Sequence, residues 1–113
     1  MTTYKKIVAI VRLECLELVE NHLHSLNVPG ISVTKVKGYG EYTNFYSTDW
    51  MSTNAHIEIY CQSDKVDSIV NGIMEKAHSG SQGDGIVVVS PVENIYRIRT
   101  KSEMILSSHE GES

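Results

Sequence analysis

Apolar and polar residues change period along this chain, and the changes mark out its elements. Tyr4 to Arg12 (YKKIVAIVR) is an Ile- and Val-rich run, short enough for a mostly buried strand. From Leu13 the spacing lengthens. Leu13, Leu16, Val19, Leu23 and Leu26 line one helical face, Glu14, Glu17 and Glu20 lie off it, and Asn27, Pro29 and Gly30 close the helix. ISVTKVKGYG sets Ile31, Val33 and Lys35 against Ser32, Thr34 and Val36, an imperfect alternation that predicts a second strand ending at Gly38. AHIEIYC alternates Ile57 and Ile59 with Glu58 and Tyr60, so a third strand is expected from about Ala55 to Cys61, leaving Tyr39 to Asn54 as a long loop. Ser63 or Asp64 is placed to cap a second helix with an apolar stripe at Val66, Ile69, Val70, Ile73, Met74 and Ala77. Gly72 inside that helix costs about 1 kcal/mol relative to alanine. GIVVVS is a fourth strand expected to break at Pro91, and ENIYRIR supplies a short fifth.

The order is β-α-β-β-α-β plus one short strand. It predicts an α+β, ferredoxin-like sandwich: an antiparallel sheet with two helices on one face. The other face would leave apolar side chains in water. Valines on both faces of the fourth strand suggest that further copies of the chain cover it.

With 113 residues the chain is expected to form one domain, with a core at 4–100, the loop at 39–54 and a flexible polar tail at 101–113. A formal net charge of −4 argues against a duplex nucleic-acid binder. The first and fourth strands also lack the aromatics with which an RNA-binding sheet stacks bases, so no nucleic-acid partner is expected. Cys15 and Cys61 stand in neither a disulfide framework nor a zinc-ligand spacing. No signal peptide or membrane-length apolar window is visible, which predicts a cytoplasmic protein. His22, His24, His56, His78 and His109 form no pair with ligand spacing, so neither a metal nor a catalytic histidine is expected.

HSGSQGDGIVVVSP, His78 to Pro91, sets Gly80, Gly83 and Gly85 with Asp84 between the second helix and the fourth strand. Glycines permit positive φ or close approach to the main chain, and successive N–H groups in such a loop can cradle an anion. The same stretch serves equally as a plain helix-to-strand connection, since no P-loop lysine follows.

Three segments in order, VTKVKGYG before the long loop, GSQGDGIVVV after the second helix and VENIYRIRT near the end, resemble the signature segments of the PII signal-transduction family. The resemblance covers roughly Tyr4 to Thr100. It implies a homotrimer that binds adenine nucleotide (ADP, AMP or ATP) in clefts between subunits as a regulatory ligand, with no cofactor and no catalysis. It also implies a signal passed through the long loop to a regulated protein such as a membrane transporter or metabolic enzyme. The implied nucleotide-binding residues are Ser32, Gly38, Tyr39, Gly40, Gly83, Asp84, Gly85, Arg97 and Arg99. If the last segment is a strand, alternation sets the two arginines on one face. Tyr42, Phe45, Tyr46 and Trp50 in the loop are candidate partner anchors, because aromatics are favoured at interfaces; packing on a neighbouring subunit would explain them equally well.

The departures shift the expected chemistry. Ile86 stands where the family usually carries a lysine that reaches the outer phosphates, so ADP and AMP should bind at least as well as ATP. Glu41 and Tyr42 follow the glycine pair where a glutamine is usual, and Asn54 replaces a lysine near the far end of the loop, so 2-oxoglutarate sensing is not implied and any second effector is open. The shortened loop lacks the family's modifiable-tyrosine segment. The rival class is a small ferredoxin-like enzyme acting on nucleotides or phosphate esters, which turnover of bound ATP would reveal.

Overall fold

The computed structural model of the protein describes residues 3–28, 30–38 and 52–104. Strand β1 spans Tyr4–Arg12, as its composition predicts. It lies between β3 (Ser52–Gln62) and β4 (Gly85–Val92), while β2 (Ser32–Gly38) pairs with the outer side of β3. The four-stranded sheet therefore runs β2-β3-β1-β4 and every pairing is antiparallel. Register sets Ile7 opposite both Ile59 and Val89, and Ala9 opposite both Ile57 and Val87. Alternation carries all of these to one face. That face receives α1 (Leu16–Ser25) and α2 (Val66–Ala77). Val19, Leu23, Ile69, Ile73 and Ala77 from the helices close over Ile7, Ala9, Val11, Ala55, Ile57 and Ile59 from the sheet in one buried cluster.

Each helix is entered through a single turn of 3-10 helix, Leu13–Cys15 after β1 and Ser63–Lys65 after β3. The predicted cap at Ser63 or Asp64 does not form. Ser63 is instead taken by the start of β1: its N–H donates to the Thr3 carbonyl at 2.7 Å and its Oγ accepts from the Thr3 N–H at 3.3 Å. Asn27 ends α1 in the left-handed region at φ 59°, and Val28 N–H then turns back to the Leu23 carbonyl. Gly72 has a packing reason for its place in α2. A side chain there would collide with the imidazole of His22, whose Nε2 is buried with no hydrogen-bond partner.

Three sequence expectations are corrected. β3 begins at Ser52 and not near Ala55, because Ser52, Thr53 and Asn54 pair with Gly38, Lys37 and Val36; the loop expected over 39–54 therefore ends by residue 51. Pro91 does not break β4, where it sits opposite Lys5. An edge strand has one side without a ladder neighbour and tolerates a missing N–H. The expected fifth strand shrinks to β5 (Tyr96–Arg97), which forms a hairpin with β6 (Ser102–Glu103) inside the expected tail. Met104 N–H continues that hairpin by donating to the Ile95 carbonyl at 2.8 Å.

The second sheet face carries Lys6, Val8 and Ile10 of β1, His56, Glu58 and Tyr60 of β3, and Ile86 and Val88 of β4. No described helix covers it, and Val88 stays 47% exposed. Lys6 Nζ reaches Glu58 Oε1 at 3.2 Å across the strands. His56 Nε2 lies 3.7 Å from Glu58 Oε2, too far for a hydrogen bond.

Candidate functional site: the glycine corner and the basic hairpin

The corner from His78 to Gly85 carries β4 out of the end of α2. Gly85 adopts φ 111°, and a Cβ there would fall 1.8 Å from the Ile10 carbonyl oxygen. No other residue lets β4 approach β1 so closely at its first pairing, Gly85 opposite Val11. Gly80 also takes a positive φ of 93°. Gly83 is buried in a 3-10 turn, Gln82–Asp84.

Asp84 is the hub of this corner. Its Oδ2 accepts from the Ser79 N–H at 2.7 Å and the Gly80 N–H at 2.8 Å, and its Oδ1 accepts from the hydroxyls of Ser79 and Ser81. Arg12 Nη2 stands 3.6 Å from Oδ1, and His78 Nδ1 3.8 Å from Oδ2. Burial pushes the Asp84 carboxyl upward. The hydrogen bonds from Ser79 and Gly80, with the Arg12 guanidinium, outweigh it and hold the group well below the usual carboxylate range. The carboxylate thus shapes the loop from within.

Arg12 is the residue the sequence reading missed. It ends β1 one position beyond Val11, which pairs with Gly85, and so it lies beside the corner. Its Nε is buried with no hydrogen-bond partner, and Nη1 lies 3.9 Å from Glu14. Pairing β1 with β4 in antiparallel register would have pointed to it from the sequence. Between α2 and β4, next to the corner, opens a groove of about 270 Å³ lined by Val70, Ile73, Met74 and Ala77 of the helix and by Ile86 and Val87 of the strand.

The other predicted residues fall in separate places. Ser32 opens β2 on its exposed side, opposite Glu58, and Gly38 ends the same strand opposite Ser52. Arg97 ends β5 half-buried, whereas Arg99 is exposed in the turn at 98–101 that Lys101 closes with φ 54° and a 3.2 Å bond from its N–H to the Ile98 carbonyl. The strand ends before Arg99, so the shared face expected from alternation is not formed. The hairpin follows the Val92 end of β4 and the corner precedes its Gly85 end, about 23 Å apart along extended strand. One protomer therefore keeps the glycine corner and the paired arginines at opposite ends of one strand. Tyr39, Gly40, Tyr42, Phe45, Tyr46 and Trp50 lie outside the described residues. Asn54, placed near the loop end by sequence, is 1% exposed within β3.

Among the described residues no cluster of three His, Cys, Asp or Glu side chains is arranged to hold a metal ion, and no helix is long and apolar enough to cross a membrane. Cys15 and Cys61 are buried free thiols, and burial, reinforced by Asp64, raises the Cys61 thiol above its ordinary value.

Two helices on one face of a four-strand antiparallel sheet, with a glycine corner at one end of β4 and a basic hairpin after the other, define a small α+β module. The chain belongs to the nitrogen regulatory protein P-II family, whose sequence model matches residues 4–102. It is 36% identical over 104 residues to the nitrogen regulatory protein P-II of Azospirillum brasilense, covering 85% of this chain and 92% of that one. It is also 36% identical to nitrogen regulatory protein P-II 2 of Methanothermobacter thermautotrophicus over 108 residues, 88% of this chain and 93% of the relative. Its fold matches the crystal structure of Arabidopsis thaliana PII bound to citrate with a TM-score of 0.76 at 30% identity, over 90% of this chain and 86% of that one. The relatives named here are regulatory proteins, and the protein is a regulatory member of the same family.

Proposed function

We propose that this P-II family protein is a cytoplasmic homotrimer that binds adenine nucleotide between its subunits and passes the bound state to a regulated protein, a transporter or a metabolic enzyme, through the segment at 39–51. The observation that carries the reading is the corner at 78–85, whose one carboxylate is satisfied internally, so that the loop's shape is fixed without a ligand. A loop already ordered loses little entropy on binding. Gly83 and Gly85 would let phosphates approach the backbone, and Arg97 and Arg99 would supply forked, charge-assisted contacts. The Arabidopsis PII structure holds citrate, a polyanion, which fits a frame that accepts negative charge.

Ile86 shapes the specificity. It offers no cation where the family's lysine reaches the outer phosphates, so ADP and AMP bind at least as tightly as ATP. Asn54, buried in β3, offers no cation to a 2-oxoacid, and 2-oxoglutarate leaves nucleotide binding unchanged. Calorimetry with ADP, AMP, MgATP and 2-oxoglutarate tests both points. A strong preference for MgATP, or enhancement by 2-oxoglutarate, contradicts the reading. Loss of ADP binding in the Arg97→Ala, Arg99→Ala double variant supports it. ATP recovered intact after long incubation separates a sensor from an enzyme.

A further inference from the structure

The sheet face that no described helix covers carries a histidine whose Nε2 is buried without a hydrogen-bond partner. This is His56, on β3 opposite Ile10 of β1 and Thr34 of β2. Alternation sets the charged groups around it on the same face. Glu58 is the one carboxylate that the four strands place there, and Lys6 takes it: Nζ lies 3.2 Å from Oε1, while His56 Nε2 stays 3.7 Å from Oε2. On the other side of His56 comes Arg12, opposite Asn54, with its guanidinium 3.6 Å from Asp84 and 3.9 Å from Glu14. The phenols of Tyr4 and Tyr60 stand farther along, toward Gln62, and the residues that β2 and β4 set on this face are not ionisable.

One proton therefore decides the balance. With His56 neutral, Lys6 and Glu58 cancel, and Arg12 is offset by its own carboxylates. With His56 protonated, each copy presents a positive charge that no carboxylate of the face is free to meet. In a lone protomer water solvates it, since 29% of the side chain is exposed. Under another copy that solvation is lost, and an unpaired buried charge is costly. Symmetry multiplies the cost, because every copy brings the same charge.

We propose that His56 makes assembly through this face acid-sensitive: copies join while it is neutral and separate as it takes a proton. Histidines change charge between about pH 5 and 8. The assembled copies bind fewer protons than the separate ones, so assembly strengthens as pH rises and is lost as pH falls. The switch deepens the homotrimer proposed above and rests on it for the copies that cover the face.

The test is sedimentation velocity at about pH 7.5 and about pH 5.5, at constant ionic strength, with circular dichroism recorded beside it. Association of the unaltered protein should weaken about tenfold or more on acidification at unchanged circular dichroism, and His56→Gln should associate equally at both pH values. Val8→Glu gives a second readout. Val8 lies opposite Glu58, so the added carboxylate has no cation until His56 is protonated, and this variant should associate more strongly at the lower pH. Three results overturn the proposal: association of the unaltered protein that ignores pH, a His56→Gln variant that loses association in acid as the unaltered protein does, or a Val8→Glu variant that keeps the unaltered protein's sign. A three-copy assembly indifferent to pH removes only the switch, whereas a monomer at both pH values removes the trimer with it.

Discussion

The two faces of the sheet meet the same need, to hide apolar strand residues from water, in opposite ways. Toward the helices, Ile7, Ala9, Ile57 and Ile59 are wholly buried, and the neighbouring side chains of α1 and α2 are purely apolar where they meet them. On the other face Val8, Ile10, Ile86 and Val88 are interleaved with Lys6, His56 and Glu58, and an ion pair crosses from β1 to β3. The helical face is built to close once, during folding. A face that mixes β-branched residues with charged groups can remain in water, yet it loses solvent-exposed apolar area when another copy arrives. The first face makes the fold, and the second is the face that the proposed assembly would cover.

Substitution on each face should separate these roles. Ile57→Ala is expected to cost about 2–5 kcal/mol of folding stability, as deletions of fully buried branched side chains do. Val88→Ala, on the exposed face, should cost under about 1 kcal/mol in the folded protomer and show itself instead as weaker association. Urea denaturation at low protein concentration, beside light scattering at high concentration, reads both. Equal losses of folding stability at the two positions would break the comparison.

Within the helical layer, the seat of His22 over Gly72 makes a sharper test. Gly72→Ala pushes the imidazole out of its notch and should destabilise by roughly 1–3 kcal/mol despite alanine's better helix propensity. In a His22→Ala background the same change should stabilise by about 1 kcal/mol, the propensity difference alone. A double-mutant cycle with no coupling energy would remove the helix-to-helix seat from the account.

The corner between the two layers responds to acid. The Asp84 carboxyl is depressed in the folded state, so its contribution is present above the unfolded value of about 4 and is lost as pH falls below it toward the folded one. Asp84→Asn should cost about 1–3 kcal/mol at neutral pH through its broken hydrogen bonds and flatten the acid limb of the stability profile. An unchanged acid limb would locate that proton elsewhere. The smallest effect concerns Cys61, whose raised thiol should react with iodoacetamide far more slowly at neutral pH than an exposed thiol does. Rapid labelling of the folded protein would contradict its burial.

Much of this was legible from pattern, and the gaps have physical causes. β1 reads cleanly because its Ile and Val residues sit in a central strand flanked on both sides. β3 reads too short in the sequence because Ser52, Thr53 and Asn54 carry no apolar alternation; only pairing with Val36 to Gly38 makes them strand. Pro91 misled because sequence does not reveal that β4 is an edge. The Ser63 cap failed because Thr3, distant in sequence, claims the same serine. At the site, the glycines were visible, but their reasons differ: Gly85 is required by the Ile10 carbonyl, and Asp84 by the loop it organises. Arg12 is hard to see in the sequence because its partner Asp84 lies far along the chain, in the turn before β4, and only the β1–β4 register brings the two together. The paired arginines were legible as charges, while the turn that separates their faces was not.

In the proposed function, copies of this chain share a ligand that no single copy binds fully. Native mass spectrometry of the protein titrated with ADP tests it most directly. The account predicts a three-copy assembly that takes up as many as three ADP molecules, with no nucleotide on any free protomer. A single protomer that carries ADP, or a three-copy assembly that stays empty at saturating ADP, would contradict it.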